Sequence, residues 1–166
     1  YYSGHNYHLT DIYGAEGNLS FQSLAGKTSF GFDFRSENIW SNELGESMED
    51  TMSARGSAHG YYDKSYSRTI LDYYLEHNLY IGNFSLSGGL LGSWSNEFDM
   101  RWKFYPGVDV SYQVMDPVKA YLSYNKSLRM PTFTDLFYSG PSNVGNPDLK
   151  PETTQTYEGG FKLEFS

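Results

Sequence analysis

The chain has 166 residues, a formal net charge of −8 and no cysteine, which excludes disulfide frameworks and thiolate metal sites. No basic stripe offsets the acidic balance, so the chain lacks the electrostatic footprint of a nucleic-acid binder. Mean hydropathy is polar, at −0.58, and no run approaches the roughly 18 consecutive apolar residues of a membrane helix. Any passage through a membrane must therefore be made by strands.

In chain order, the first candidate strand is YHLTDIYGAEGNLSF, residues 7–21. Its alternation is interrupted by Asp11, where a bulge would restore the pattern. GKTSFGFDFR then alternates Phe30, Phe32 and Phe34 against Ser29, Asp33 and Arg35. After a long polar stretch, RTILDYYLEHNLYI places Leu71, Tyr73, Leu75, His77, Leu79 and Ile81 on one face, with Arg68, Asp72, Tyr74, Glu76, Asn78 and Tyr80 opposite. Gly82-Asn83 is a hairpin signal. FSLSGGLLGSW follows, with Phe84, Leu86, Leu90 and Trp94 on one side.

GVDVSYQV sets Val108, Val110, Tyr112 and Val114 against Asp109, Ser111 and Gln113. Beyond a tight turn at Asp116-Pro117, VKAYLSYNKS sets Val118, Ala120, Leu122 and Tyr124 against Lys119, Tyr121, Ser123 and Asn125. The last candidate, TYEGGFKLEF, sets Tyr157, Phe161, Leu163 and Phe165 against Glu158, Lys162 and Glu164.

These segments predict an all-β, antiparallel meander of about seven long strands. Connections at one end are short, at 24–27, 82–83 and 116–117; those at the other end are long, at 43–66, 95–103 and 129–153. Trp40, Trp94 and Trp102 all fall at the long-loop ends. Lopsided loops and interfacial aromatics are habits of outer-membrane barrels. A soluble β-sandwich that binds carbohydrate or another ligand alternates in the same way and is the competing reading.

The connection from Leu128 to Thr153 holds four of the chain's six prolines. Within it, RMPTFTDLF is followed by GNPDLKPE, and the pair resembles a signature of TonB-dependent outer-membrane receptors. Arg129, Pro131, Thr132, Asp135 and Leu136 match its first half; Gly145, Asn146, Pro147, Leu149, Pro151 and Glu152 match its second. The segments 28–46 and 75–89 also look like barrel strands of such receptors from Bacteroidetes-type bacteria.

The resemblance implies that residues 1–166 are part of a transmembrane barrel of about 22 strands. The plug domain and remaining strands would lie elsewhere. Seven strands cannot close such a barrel, and the chain opens directly on Tyr1-Tyr2-Ser3-Gly4, so it is expected to be a piece of a longer protein. The resemblance further implies residence in the bacterial outer membrane, contact with its lipid, energy from TonB through the plug, and a scarce small-molecule ligand. A surface lipoprotein partner is also possible within this family. Corrinoid and ferric siderophore are the ligand classes expected, with the strand segments leaning towards a cobalamin-type receptor. Haem receptors of the family often carry a histidine between the two halves of the signature, and residues 132–145 contain none.

In the signature loop, Pro131, Pro147 and Pro151 lack N–H donors and end strand pairing at defined points. Arg129, Asp135 and Glu152 are expected to be structural, fixing the loop by charge-assisted hydrogen bonds. Ligand contact is expected instead from MEDTMSARGSAHGYYDKSY, where Met48, Met52, His59, Tyr61, Tyr62 and Tyr66 supply adaptable apolar and stacking surface. The competing reading of that stretch is a mobile, solvated loop.

No catalytic residue, metal ligand or cofactor motif emerges. His5, His8, His59 and His77 have no H-E-x-x-H spacing, and Glu76 and His77 point to opposite faces of a strand. The chain is therefore read as a non-enzyme, although a passive or hydrolytic barrel with its nucleophile elsewhere is the third functional class.

Overall fold

A computed structural model describes residues 5–97, 101–141 and 143–163. The strands are β1 (His8–Ser23), β2 (Gly26–Ser41), β3 (Glu46–Ser53), β4 (Tyr61–Ile81), β5 (Phe84–Ser95), β6 (Lys103–Met115), β7 (Val118–Arg129) and β8 (Glu152–Leu163). A five-residue helix, α1 (Phe133–Phe137), interrupts the last long connection. All strands belong to one sheet in the order β1-β2-β4-β5-β6-β7-β8, with β3 paired to β4 off this path. The antiparallel all-β meander expected from the alternation is present. Residues Glu164 and Phe165 of the last predicted strand lie outside the described residues.

One difference from the sequence expectation stands out. The segment 43–66 is not a single loop. It contains β3, an eighth strand, and the first residues of β4. β3 reads ESMEDTMS, which has no period-two alternation to announce it. It forms by pairing Glu46 with Ser65, Ser47 with Lys64, Met52 with Tyr62 and Ser53 with Tyr61, with a shift of register between Ser47 and Met52. β1 runs from His8 to Ser23 and includes Asp11.

Contacts divide the chain into two units. The first comprises residues 1–14, 35–69 and 129–152; the second comprises 15–34, 70–128 and 153–166. The second unit holds the regular ladders. Leu75 faces Leu90, Leu79 faces Leu86 and Ile81 faces Phe84 across β4 and β5. Leu86 in turn faces Val110, which faces Leu122. Directly opposite residues share a face of a sheet, so register assembles one apolar face from all four strands.

That apolar face is bare. Leu75 is 56% exposed, Ile81 63%, Leu122 68% and Phe161 75%. The fully buried side chains of this unit include Ser93 and Ser95. In water such a sheet would forgo about 1.5–3 kcal/mol for each large apolar side chain left uncovered.

Aromatic rings mark both ends of the apolar face. Tyr73 packs on Trp102 with centroids 5.8 Å apart, and Phe84 on Tyr112 at 4.5 Å. The single imidazole among these residues, His77, has both nitrogens engaged: Nδ1 lies 2.9 Å from Thr28 Oγ1 and Nε2 lies 3.2 Å from the Ala25 carbonyl. A carbonyl only accepts, so Nε2 donates to Ala25.

The short turns fall at 24–25, 82–83 and 116–117, as the sequence predicts. Gly26 (φ 125°) and Gly82 (φ 55°) take left-handed conformations there. A Cβ on Gly26 would collide with the Asn78 carbonyl oxygen. Changing Gly26→Ala is expected to cost more than about 1 kcal/mol, read as a lower urea midpoint. An unchanged midpoint would show that this turn relaxes freely.

Candidate functional site

The signature segment begins where β7 stops. Pro131 is buried and has no N–H to continue the ladder. Thr132 then caps α1 with φ −75° and ψ 161°. Its Oγ1 accepts from the Asp135 N–H at 3.1 Å, while Asp135 Oδ2 accepts from the Thr132 N–H at 2.9 Å, forming a capping box. The Thr132 N–H bond to the carboxylate first, then the Thr132 hydroxyl beside it and the nearby Arg129 guanidinium, hold the Asp135 carboxyl below the usual carboxylate range. The box is therefore intact above ordinary carboxylate pKa values and is lost as pH falls through the lowered one.

Leu136, 3% exposed, anchors the helix. The chain then doubles back. Asn146 N–H donates to the Asp135 carbonyl at 2.9 Å, and Gly145 N–H donates to the Tyr138 carbonyl. A Cβ on Gly145 would come within 2.8 Å of the Leu136 and Phe137 backbone, so this close approach requires glycine. Asn146 Oδ1 accepts from the Asp148 N–H, giving a tight turn into Pro151 and β8.

The fold places a hollow of about 360 Å³ against this segment, lined by Arg129, Asp135, Asn143, Asn146, Lys150 and Glu152 among others. Its charges offset one another, since Arg129 lies 3.3 Å from Glu152 and 3.7 Å from Asp135. All three side chains are largely exposed, and exposed pairs of this kind are worth about 1 kcal/mol at most.

The stronger tie involves two residues that sequence reasoning did not single out. Arg68 on β4 contacts Glu37 on β2 through both Nε, at 3.0 Å, and Nη2. Its Nη1 donates to the Pro131 carbonyl at 2.7 Å, and its guanidinium lies 4.8 Å over the Phe133 ring. Both charged side chains are at least nine-tenths buried. Arg35 adds a second, exposed contact to Glu37 at 3.0 Å. In the sequence, Arg68 reads as one more polar-face residue; only the pairing of β2 with β4 brings it to Glu37.

The candidate contact residues separate into two groups. Met52, His59 and Tyr61 are exposed and Met48 is half-buried. Tyr62, by contrast, is 4% exposed in the core of the first unit with Ile39, Leu44, Ala54 and Leu136. Tyr66 packs on Phe137 at 4.7 Å and on Phe133 at 5.8 Å, which joins it to the signature segment. The turn at 54–60 is built rather than loose. Ala54 N–H donates to the Gly60 carbonyl at 2.8 Å, Ser57 Oγ accepts from Gly60 N–H at 2.9 Å, and its hydroxyl donates to Tyr7 Oη at 3.2 Å. Among the described residues, no group of three His, Cys, Asp or Glu side chains could share a metal ion.

A family model described as TonB dependent receptor-like, β-barrel matches residues 1–166. The chain belongs to this family. Among solved structures, the ferric enterobactin receptor PfeA, in complex with BCV-L6, is similar with a TM-score of 0.68 and 17% identity; the match covers 97% of this chain and 25% of that one. The siderophore receptor PirA from Acinetobacter baumannii is similar with a TM-score of 0.67 and 19% identity, covering 96% and 25%. The chain thus spans about a quarter of these receptors. No curated protein sequence matches it significantly. The family signature read from the sequence corresponds to the folded segment from Arg129 to Glu152.

The two arginines should behave differently in the full-length receptor. Arg68→Met leaves Glu37 buried without its main partner and should cost about 3–5 kcal/mol. Arg129→Met should cost about 1 kcal/mol or less. Equilibrium unfolding in detergent ranks them, and equal losses would refute the assignment of the dominant tie.

Proposed function

We propose that this chain forms part of the wall of an outer-membrane active importer. The receptor takes up a scarce small-molecule ligand and draws energy from TonB through a plug domain. The observation that carries the reading is the bare apolar face of the second unit in a chain of this receptor family. Side chains that would forfeit several kcal/mol in water are at no disadvantage against lipid tails.

Strand chemistry supports a membrane boundary. On β4, the face that carries Leu71, Tyr73, Leu75 and Ile81 carries Asp63, Ser65, Ser67 and Thr69 earlier in the strand. On β2, the face that carries Phe30, Phe32 and Phe34 continues with Ser36 and Asn38, and Ser67 Oγ donates to Asn38 Oδ1 at 2.6 Å. The stretch from Leu71 to Ile81 fits the 9–11 residues a tilted strand needs to cross a bilayer. The polar stretches then meet water. The soluble sandwich reading loses its basis, because the described strands form one sheet rather than two packed layers.

The ligand is a corrinoid or a ferric siderophore. The structural neighbours named as siderophore receptors favour the second class, while the strand segments resemble Bacteroidetes-type, cobalamin-like receptors. A surface lipoprotein is a further partner expected of that type. Met48, Met52, His59 and Tyr61 are the side chains proposed to meet the ligand. The chain is assigned no catalytic role.

Two measurements test this. Calorimetry on the intact receptor against cobalamin, a panel of ferric siderophores and haem should detect binding to one of the first two classes. Tight haem binding, or no binding at all, would overturn the ligand assignment. Separately, Leu75→Arg should destabilise the receptor in liposomes by about 2–4 kcal/mol, the cost of a cation facing lipid near the midplane. Ser67→Arg should have little effect. Equal tolerance at the two positions would sink the lipid-facing reading.

A further inference from the structure

We infer that Arg68 is the positioning residue for the signature segment, and that residues 131–141 and 143–151 form a fixed cross-tie rather than a free surface loop. The inference goes beyond the import reading and stands without it.

β4 and β7 are not neighbours; β5 and β6 stand between them in the sheet order. Backbone pairing therefore gives no reason for the chain that leaves β7 to meet β4. A single guanidinium supplies the connection. Its Nε and Nη2 grip Glu37 on β2, and its Nη1 holds the Pro131 carbonyl, two residues past the end of β7. Phe133 lies over the guanidinium plane. Two residues earlier on the same face of β4, Tyr66 packs on Phe133 and Phe137. Arg68 and Tyr66 thus grip α1 from adjacent positions.

Arginine suits this task. Its planar fork can serve a carboxylate along one edge and a carbonyl along another while its face meets an aromatic ring. A lysine ammonium is a point donor and cannot reproduce that set. Pro131 contributes as well: it ends the ladder, leaving its carbonyl free to accept from a side chain.

The simpler account is that Arg68 and Glu37 merely staple β2 to β4, with the Pro131 contact incidental. The double variant Glu37→Met/Arg68→Met separates the two. It removes both charges and leaves neither stranded, so global stability should stay close to the parent's. Hydrogen exchange is then followed by mass spectrometry on the full-length receptor in detergent. If Arg68 positions the segment, peptides over 132–146, which hold the bonded amides of Leu136, Tyr138, Gly145 and Asn146, should exchange roughly ten-fold or more faster. Peptides of the β5–β6 ladder should be unchanged.

Parental protection over 132–146 in the double variant would overturn the inference and leave only a staple. Should the double variant fail to fold, Arg68→Lys decides. It retains the charge beside Glu37, so local loosening over 132–146 supports the inference and parental protection refutes it.

Discussion

A β-sheet satisfies its own backbone polar groups without help from a second layer, and this frees its two faces to meet different media. In the second unit that freedom is used fully. Register lines up Leu75, Leu90, Leu86, Val110 and Leu122 on one side of the ladders, and Asp109, Ser111, Ser123 and Asn125 alternate with them. No layer of protein covers the apolar side chains among the described residues. Stability must then come from hydrogen bonding in the ladder and from the surrounding medium. On the import reading proposed above, that medium is hydrocarbon, where an unpaired N–H costs several kcal/mol and a bare leucine costs nothing.

The first unit solves the opposite problem. Its strand faces are polar where the second unit's are apolar, so it needs an interior of its own. It builds a small one from Ile39, Leu44, Ala54, Tyr62 and Leu136. Around that core it uses devices suited to backbone that has left the ladder: a proline, a capping box, a glycine pressed against neighbouring backbone, and a buried guanidinium. A core this small could not hold the whole connection from β7 to β8 by apolar burial alone, which is why directional polar contacts accumulate there.

Sequence and structure agree wherever a local signal and a tertiary one coincide. Period-two alternation announced β2, β4, β5, β6 and β7 because one face of each carries a run of apolar residues. Gly82-Asn83 and Asp116-Pro117 announced their turns because few residues tolerate those geometries. β3 was illegible for the converse reason. Its residues carry no alternation, and it exists only because β4 extends to Tyr61 and offers an edge. The beginning of β4 was missed likewise, since Asp63, Ser65 and Ser67 break the apolar pattern that marks its later part. Arg68 and Glu37 lie 31 positions apart, and nothing local to either residue signals the other. Tyr62 and Tyr66 looked like ligand-facing aromatics, but pleat direction turns them onto protein.

These assignments bear on what the signature can tell. Pro131 ends a strand, Thr132 and Asp135 cap a helix, Leu136 fills a core, Gly145 permits close approach and Asn146 turns the chain. Each role is met by the protein's own groups, so the motif follows from how the connection folds rather than from what the receptor carries. Receptors with different cargo can therefore share it. Met52, His59 and Tyr61, the side chains proposed above to meet the ligand, stay exposed on or beside a turn that Tyr7 and Ser57 hold in place. On that proposal, a thioether, an imidazole and a phenol held at a pre-formed turn meet a ligand with little ordering cost.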